Sequence, residues 1–181
     1  AGAALLLDSR KIRKGDVFFA VKGVHTDGRA FIEKACGAGA SCVVAEKGDI
    51  GPCSVPVIEI DNLYRALGPI AAAYYGNSTA QMIGIAVTGT NGKTTTANWI
   101  ADLMNRLGTP CASIGTLGCT LNGIVLPSVS MTTPDPLTLQ AKFAELLSRG
   151  CKAFAMEASS IGLEQGRLDG TEIKTAVFTN L

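Results

Sequence analysis

The stretch "MIGIAVTGTNGKTTTANWIADLMNRLG", residues 82–108, constrains this chain more than any other. An apolar run, "MIGIAV", reads as a buried strand and leads into a glycine-rich turn. Lys93-Thr94 then opens a helix whose apolar face is Ala97, Ile100, Ala101, Met104 and Leu107, with Gly108 as its stop. Strand, glycine turn and Lys-Thr at a helix start are the parts of a phosphate-binding loop. Backbone N–H groups and the helix N-terminus face phosphate oxygens, a Lys93 ammonium reaches the terminal phosphates, and a Thr94 hydroxyl reaches Mg²⁺. The usual spacing would put a first glycine at position 87, where this chain has Val87; the glycine sits at 89 instead, giving a tighter loop. A plain glycine turn is the simpler reading, but it leaves the ordered succession of strand, loop, Lys-Thr and amphipathic helix unexplained.

A loop of this kind needs a mostly parallel sheet around it, and the rest of the chain supplies one. "DVFFAV" (16–21), "SCVVAE" (41–46) and "VPVIEI" (55–60) read as strands, with a helix over "RAFIEKACGAGA" between the first two. "NLYRALGPIAAAYYG" also has helical spacing, though Gly68-Pro69 predicts a break or kink. Downstream, "CASIGTLGCTLNGIVLP" reads as a strand and a hairpin turning at Asn122-Gly123. "PDPLTLQAKFAELLSRG" is a helix with Asp135 at the N-cap, Pro136 at the first helical position and Gly150 at the stop. "KAFAME" and "KTAVFTNL" are further strands. Strand–helix alternation predicts an α/β chain: a small N-terminal α/β domain, then the start of a P-loop-type sheet domain with helices on both faces. The polar, turn-rich "GNSTAQ" (76–81) predicts the boundary, giving domains at 1–80 and 81–181.

Composition excludes several classes. A hydrophobic fraction of 47% against 17% charged residues can fill a core. With 16 basic and 15 acidic residues and no long run of either sign, no nucleic-acid footprint is expected. No apolar run reaches the roughly 18 residues of a membrane span. The six cysteines form no C-x-x-C pair and there is one histidine, so a zinc site is not expected. Buried free thiols in a reducing cytoplasm are the expectation. Ala1 at the start and an apolar strand at the end lead us to expect a piece of a longer protein.

"GTNGKTTT" resembles the ATP loop of the Mur ligases and of the related folylpolyglutamate synthetases, which activate a carboxylate with ATP and join it to an amine. "LLLDSRKIRKGDVFFAVKGVHTDGRAFIEKACGAGA" resembles the first domain of the MurE and MurF branches, which the folylpolyglutamate synthetases lack. "SMTTPDP" (130–136) and "MEASSIGLEQGRL" (156–168) resemble the MurE branch. The resemblance covers nearly the whole chain. It implies an ATP- and Mg²⁺-dependent ligase of peptidoglycan precursor synthesis, cytoplasmic and monomeric. Its substrates would be UDP-MurNAc-L-Ala-D-Glu and a diamino acid, meso-diaminopimelate or L-lysine. A carbamylated lysine, further metal ligands and a third domain would lie beyond Leu181, so these residues alone are not expected to ligate.

The candidate site follows residue by residue. Gly89, Thr90, Asn91, Gly92, Lys93, Thr94 and Thr95 would hold ATP, with Lys93 and Glu157 catalytic and Thr94 and Glu157 on the metal. Glu157 ends the strand "KAFAM", at the edge where open α/β sheets bind ligands; a surface carboxylate is the alternative. The resemblance places Leu7, Ser9, Val24, His25 and Thr26 on the uridine end of the substrate, and Thr132, Thr133, Ser159, Gln165 and Arg167 on the same nucleotide-sugar peptide. The alternatives are turn residues for Ser9, Thr132 and Thr133, a solvated cation for Arg167, and an exposed loop residue for His25. Met131 stands where some relatives carry Asn. A MurF-type ligase adding D-Ala-D-Ala, a non-catalytic nucleotide-binding module and a P-loop switch remain as alternatives. No guanine-reading N-K-x-D stretch supports the last.

Overall fold

A computed structural model of the chain describes residues 2–23, 26–126 and 132–181. They form two compact units, Ala1–Leu67 and Gly68–Leu181, each with its own sheet.

In the first unit, strands β1 (Leu5–Leu6), β2 (Val17–Ala20), β3 (Cys42–Glu46) and β4 (Val57–Ile60) lie in that order, all parallel. Parallel neighbours require a crossover, and helix α1 (Ile32–Gly37) provides it between β2 and β3. The inner strands are buried on both faces, which explains why "VFFA" and "VVA" show no polar alternation: Phe18, Phe19 and Ala20 are all buried, as are Val43, Val44 and Ala45. β4 is the edge, and its Ile58 is half exposed.

Helix α2 (Leu63–Tyr74) corrects one half of an expectation, the break. It runs unbroken through Gly68-Pro69. Proline removes one donor, but Leu63, Leu67 and Ala71 form a buried stripe at i, i+4 and i+8. Gly68 is there for another reason: a Cβ at this position would press into the Asp169 backbone, 2.5 Å from its carbonyl carbon. The division between the two compact units falls inside this helix, at Leu67/Gly68.

The second unit holds a sheet in the order β10-β5-β9-β6-β7-β8. Here β5 is Ile83–Thr88, β6 Cys111–Gly115, β7 Gly118–Leu121, β8 Ile124–Leu126, β9 Ala153–Glu157 and β10 Thr175–Phe178. The strands from β10 to β6 are parallel, and β7 and β8 add antiparallel hairpins. One turns at Asn122-Gly123, where both residues have the positive φ of a two-residue hairpin turn (51° and 76°). The other turns at Thr116-Leu117, with Gly115 paired to Gly118, and carries no such sequence signal.

Helices α3 (Lys93–Arg106) and α4 (Pro136–Ser148) cover opposite faces. On β9, Ala153 and Ala155 pack with Ala97 and Ala101 of α3. Phe154 and Met156 pack with Leu139, Phe143 and Leu146 of α4. The alternation is the period-2 pleat of a strand buried on both sides. Small residues toward α3 let that helix sit close, which sets its N-terminus beside the ends of β5 and β9. Asp135 caps α4 by accepting from the Thr138 N–H at 3.0 Å, as the sequence predicts.

Candidate active site

The parallel register brings the carboxyl ends of three strands level: Val87 of β5 pairs with Glu157 of β9, and Thr88 with Phe178 of β10. The glycine loop, residues 89–92, emerges at this edge. Gly89 has φ 127°, and a Cβ there would run into the Thr179 hydroxyl and lie 2.8 Å from the Asn180 carbonyl oxygen. Gly92 is left-handed at the N-cap of α3 and offers no capping side chain. The first-turn N–H groups of α3 thus point outward with no intrahelical acceptor, an anion-binding arrangement. The Lys93 ammonium folds back over the loop, donating to the carbonyls of Gly89 (2.6 Å) and Thr90 (3.1 Å). It can swing from these neutral acceptors to a phosphate oxygen at no cost in buried charge.

Glu157 is buried. Its Oε1 accepts from the Thr116 N–H at 2.8 Å, and its Oε2 lies 3.3 Å from the Thr116 hydroxyl. A carboxylate can accept about four hydrogen bonds, so both oxygens keep capacity for a cation. Glu157 and Thr94 line one small cleft together with Asn98, Ser113 and Thr120. Hard oxygen donors of this kind suit Mg²⁺. Gly115 makes room for the carboxylate: a Cβ at 115 would strike Oε1 and sit 2.6 Å from the carboxyl carbon.

Around this centre the sequence-predicted residues fall into a connected set. The Thr133 hydroxyl donates to the Glu157 carbonyl (3.1 Å) and accepts from the Ser159 N–H (3.2 Å). Thr132 touches the Thr116 hydroxyl at 3.0 Å. Ser159 caps the short helix α5 (Ser160–Glu164) and shares a cleft with Gly89, Thr90 and Lys93. The guanidinium of Arg167 is partly spent internally, on the Thr133 carbonyl (2.7 Å) and on the Gln165 side-chain oxygen (2.9 and 2.7 Å). Thr133, Gln165 and Arg167 thus form one brace. Thr95 is exposed in the first turn of α3.

In the first unit, Leu7, Ser9 and Thr26 line a shallow depression with Asp8, Phe31 and Lys34. Asp8 is bonded to Arg10 through Nε and a terminal nitrogen, both at 2.9 Å. That guanidinium holds the Asp8 carboxyl down to about 2, so the pair stays ionised, and Lys34 stands with Arg10 on the same depression. Val24, His25 and Met131 lie outside the described residues.

Sequence reasoning missed three groups: Thr116, which orients Glu157, and Thr179 and Asn180, which latch the glycine loop. The Asn180 carbonyl and side-chain oxygens accept from the N–H groups of Thr90 (3.2 Å) and Asn91 (3.0 Å). The Thr179 hydroxyl donates to the Asn91 carbonyl at 2.6 Å. These contacts join residues far apart in the chain, and no local pattern announces them.

Comparison with known proteins gives this geometry a context. Residues 87–181 match the Mur ligase middle domain, and residues 3–75 match the family model described as "Mur ligase family, catalytic domain". UDP-N-acetylmuramoyl-L-alanyl-D-glutamate--2,6-diaminopimelate ligases from Coxiella burnetii and Pseudomonas aeruginosa are each 44% identical over 98% of this chain. The chain spans 37% of the length of each. A solved structure of a ligase of that name superimposes over 99% of this chain and 36% of its own, with a TM-score of 0.80 at 33% identity. The fold alone is also similar to a MurF ligase from Thermotoga maritima (TM-score 0.69, 22% identity, 98% of this chain and 37% of that one). With family models matching on both units and the glycine loop, Glu157 and Thr133 meeting at one sheet edge, the chain belongs to the Mur ligase family.

Proposed function

We propose that this chain forms the nucleotide-sugar and ATP-binding parts of an ATP-dependent amide ligase. The ligase adds a diamino acid, meso-diaminopimelate or L-lysine, to UDP-MurNAc-L-Ala-D-Glu in the cytoplasm. The observation that carries the reading is the convergence of the Lys93 loop, Thr94 and the buried Glu157 on the carboxyl edge of the sheet. Relatives named for the diaminopimelate-adding reaction, 41–46% identical, support the substrate class.

Bound ATP with Mg²⁺ would supply the phosphoryl group that activates the D-Glu carboxylate as an acyl phosphate; the incoming amine then attacks the acyl carbon and inorganic phosphate leaves. The chain's own part is positioning and charge compensation. Gly92 and the first-turn amides of α3 grip phosphate oxygens. Lys93 offsets the negative charge spread over the transferring group. Thr94 and Glu157 would hold the metal, and Thr116 keeps the Glu157 carboxylate facing it. Thr132, Thr133 and Ser159 would orient the acceptor peptide, with Gln165 and Arg167 bracing Thr133. Leu7, Ser9 and Thr26, with Val24 and His25, would take the uridine end, within a functional domain spanning 1–80; 81–181 would serve ATP.

The test is ADP release by the intact ligase carrying this segment, with the dipeptide precursor and either diamino acid in turn. Release that requires the precursor and one of the two amines supports the reading and names the amine. Release only with the tripeptide precursor and D-Ala-D-Ala moves it to the MurF reaction. In the 181-residue chain, Lys93→Ala is expected to weaken Mg·ATP binding at least tenfold, read by calorimetry, with the fold retained. Unchanged binding refutes the loop assignment.

A further inference from the structure

The first unit carries a pair of groups that the ligase chemistry does not use. Cys36 sits in the last turn of α1, and Cys53 lies in the segment between β3 and β4. Their Sγ atoms are 3.0 Å apart, so closing a covalent S–S bond of roughly 2.05 Å needs an approach of only about 1 Å. Both side chains are half-buried and pack against the first unit's core. They lie in an open depression lined by Glu33, Gly37, Pro52 and Ser54, within reach of a small reagent from solvent. The other cysteines differ. Cys111, Cys119 and Cys151 are buried in the second unit, and Cys42 is half-buried with its thiol directed at the Val43 carbonyl.

We propose that Cys36 and Cys53 are a dithiol modification site, converted to an intrachain disulfide by low-molecular-weight disulfides. The Cys53 thiolate attacks the reagent's S–S bond. One reagent thiolate leaves and takes up the proton Cys53 gave, and a mixed disulfide remains on Cys53. The Cys36 thiolate then attacks the Cys53 sulfur, expels the second reagent thiolate, which takes the Cys36 proton, and closes the ring. Two protein thiols are oxidised, and one reagent disulfide is reduced to two thiols. Burial raises the Cys36 thiol above its ordinary range, which suits it to the second attack, once a mixed disulfide stands beside it, better than to the first. The bond would fasten α1, the helix that supplies Lys34 to the depression at Leu7 and Ser9, to the β3–β4 segment.

The experiment equilibrates the chain in glutathione–glutathione disulfide buffers, alkylates the free thiols and digests with trypsin without reduction. Cleavage after Lys34, Lys47 and Arg65 places Cys36 with Cys42 in peptide 35–47, and Cys53 in peptide 48–65. The expected product is a link between these peptides, two hydrogens lighter than their sum. It persists in Cys42→Ser, is absent in Cys36→Ser and in Cys53→Ser, and is reversed by dithiothreitol. The melting midpoint is expected to rise on oxidation in the wild type and in Cys42→Ser only. Full alkylation of both cysteines at every buffer ratio, or a link that passes through Cys42, overturns the proposal.

Discussion

Gly115→Ala separates the position of the Glu157 carboxylate from its mere presence. Gly115 ends β6 and is not among the positive-φ glycines, so alanine adds no backbone strain. The new methyl, however, would strike Oε1 and stand 2.6 Å from the carboxyl carbon and 2.7 Å from Cγ of Glu157. Ordinary contact begins at 3.4 Å, so the group must retreat by about 0.8 Å. The clash involves the stem as well as the tip, and rotation at the end of the side chain alone cannot relieve it. The Thr116 N–H bond, 2.8 Å in the native chain, would stretch beyond hydrogen-bond range. Losing a bond to a charged acceptor costs about 1.5–3 kcal/mol of stability. A misplacement near 1 Å at a catalytic group costs on the order of 100-fold in rate. ADP release by the intact ligase is therefore expected to fall about 100-fold in turnover, while urea unfolding of the 181-residue chain shows a cooperative transition weakened by only the amount above. Turnover within about threefold of wild type, against that 100-fold expectation, would mean the carboxylate does not act from the position Thr116 gives it.

Other perturbations test other parts of the argument. Thr116→Val keeps the N–H bond and removes the hydroxyl, which lies 3.3 Å from the Glu157 Oε2 and 3.0 Å from the Thr132 hydroxyl; a milder loss of about 1 kcal/mol, or roughly fivefold in rate, is expected in the same assay, with Thr116→Ser restoring it. Gly89→Ala drives a methyl against Thr179 and Asn180, so Mg·ATP binding and the loop latch should fail together, read by calorimetry and by amide exchange at Thr90 and Asn91. Phe143→Ala empties a fully buried site whose ring centroid lies 4.4 Å from that of Phe154; about 3–5 kcal/mol should be lost in chemical denaturation. Alkali probes the buried thiols. Desolvation pushes Cys111 from 9.0 up to about 12 and Cys119 to about 11. The unfolded chain releases both protons first, so their contribution is intact below pH 9 and lost as pH rises toward 11–12. Stability should fall by about 1.4 kcal/mol per pH unit for each thiol across that window, and Cys111→Ala should make the fall between pH 9 and 11 shallower.

Some of the fold was readable because the controlling interactions are local. The Asp135 cap, Pro136 at the helix start and the Asn122-Gly123 turn act within a few residues of chain. The glycine loop is similar: its positive φ at Gly89 and Gly92 and the helix opening at Lys93 are dictated by adjacent residue types. Where distant packing competes with a local signal, the sequence misled. Gly68-Pro69 reads as a break or kink, yet the helix is not broken there: the buried stripe of α2 outweighs one lost hydrogen bond, and the glycine serves a close approach to Asp169. The Thr116-Leu117 turn was invisible because its flanking glycines pair with each other and carry no turn dipeptide.

By itself, then, the sequence determined the class of chain. Period-2 and period-3.6 patterns, glycines at turns and a Lys-Thr at a helix start specify an α/β protein with a glycine loop of the phosphate-binding pattern, because each acts through neighbouring residues. What the tertiary structure alone decided is which distant residues meet that loop. Thr116 orients Glu157 across 41 positions, Asn180 latches the loop across 89, and Thr133 joins β9 to α5 across 26. A parallel sheet makes such meetings unavoidable and locally silent. Its crossovers bring the carboxyl ends of strands remote in the chain to one edge, and only the register of Val87 with Glu157 and of Thr88 with Phe178 fixes which side chains face each other there.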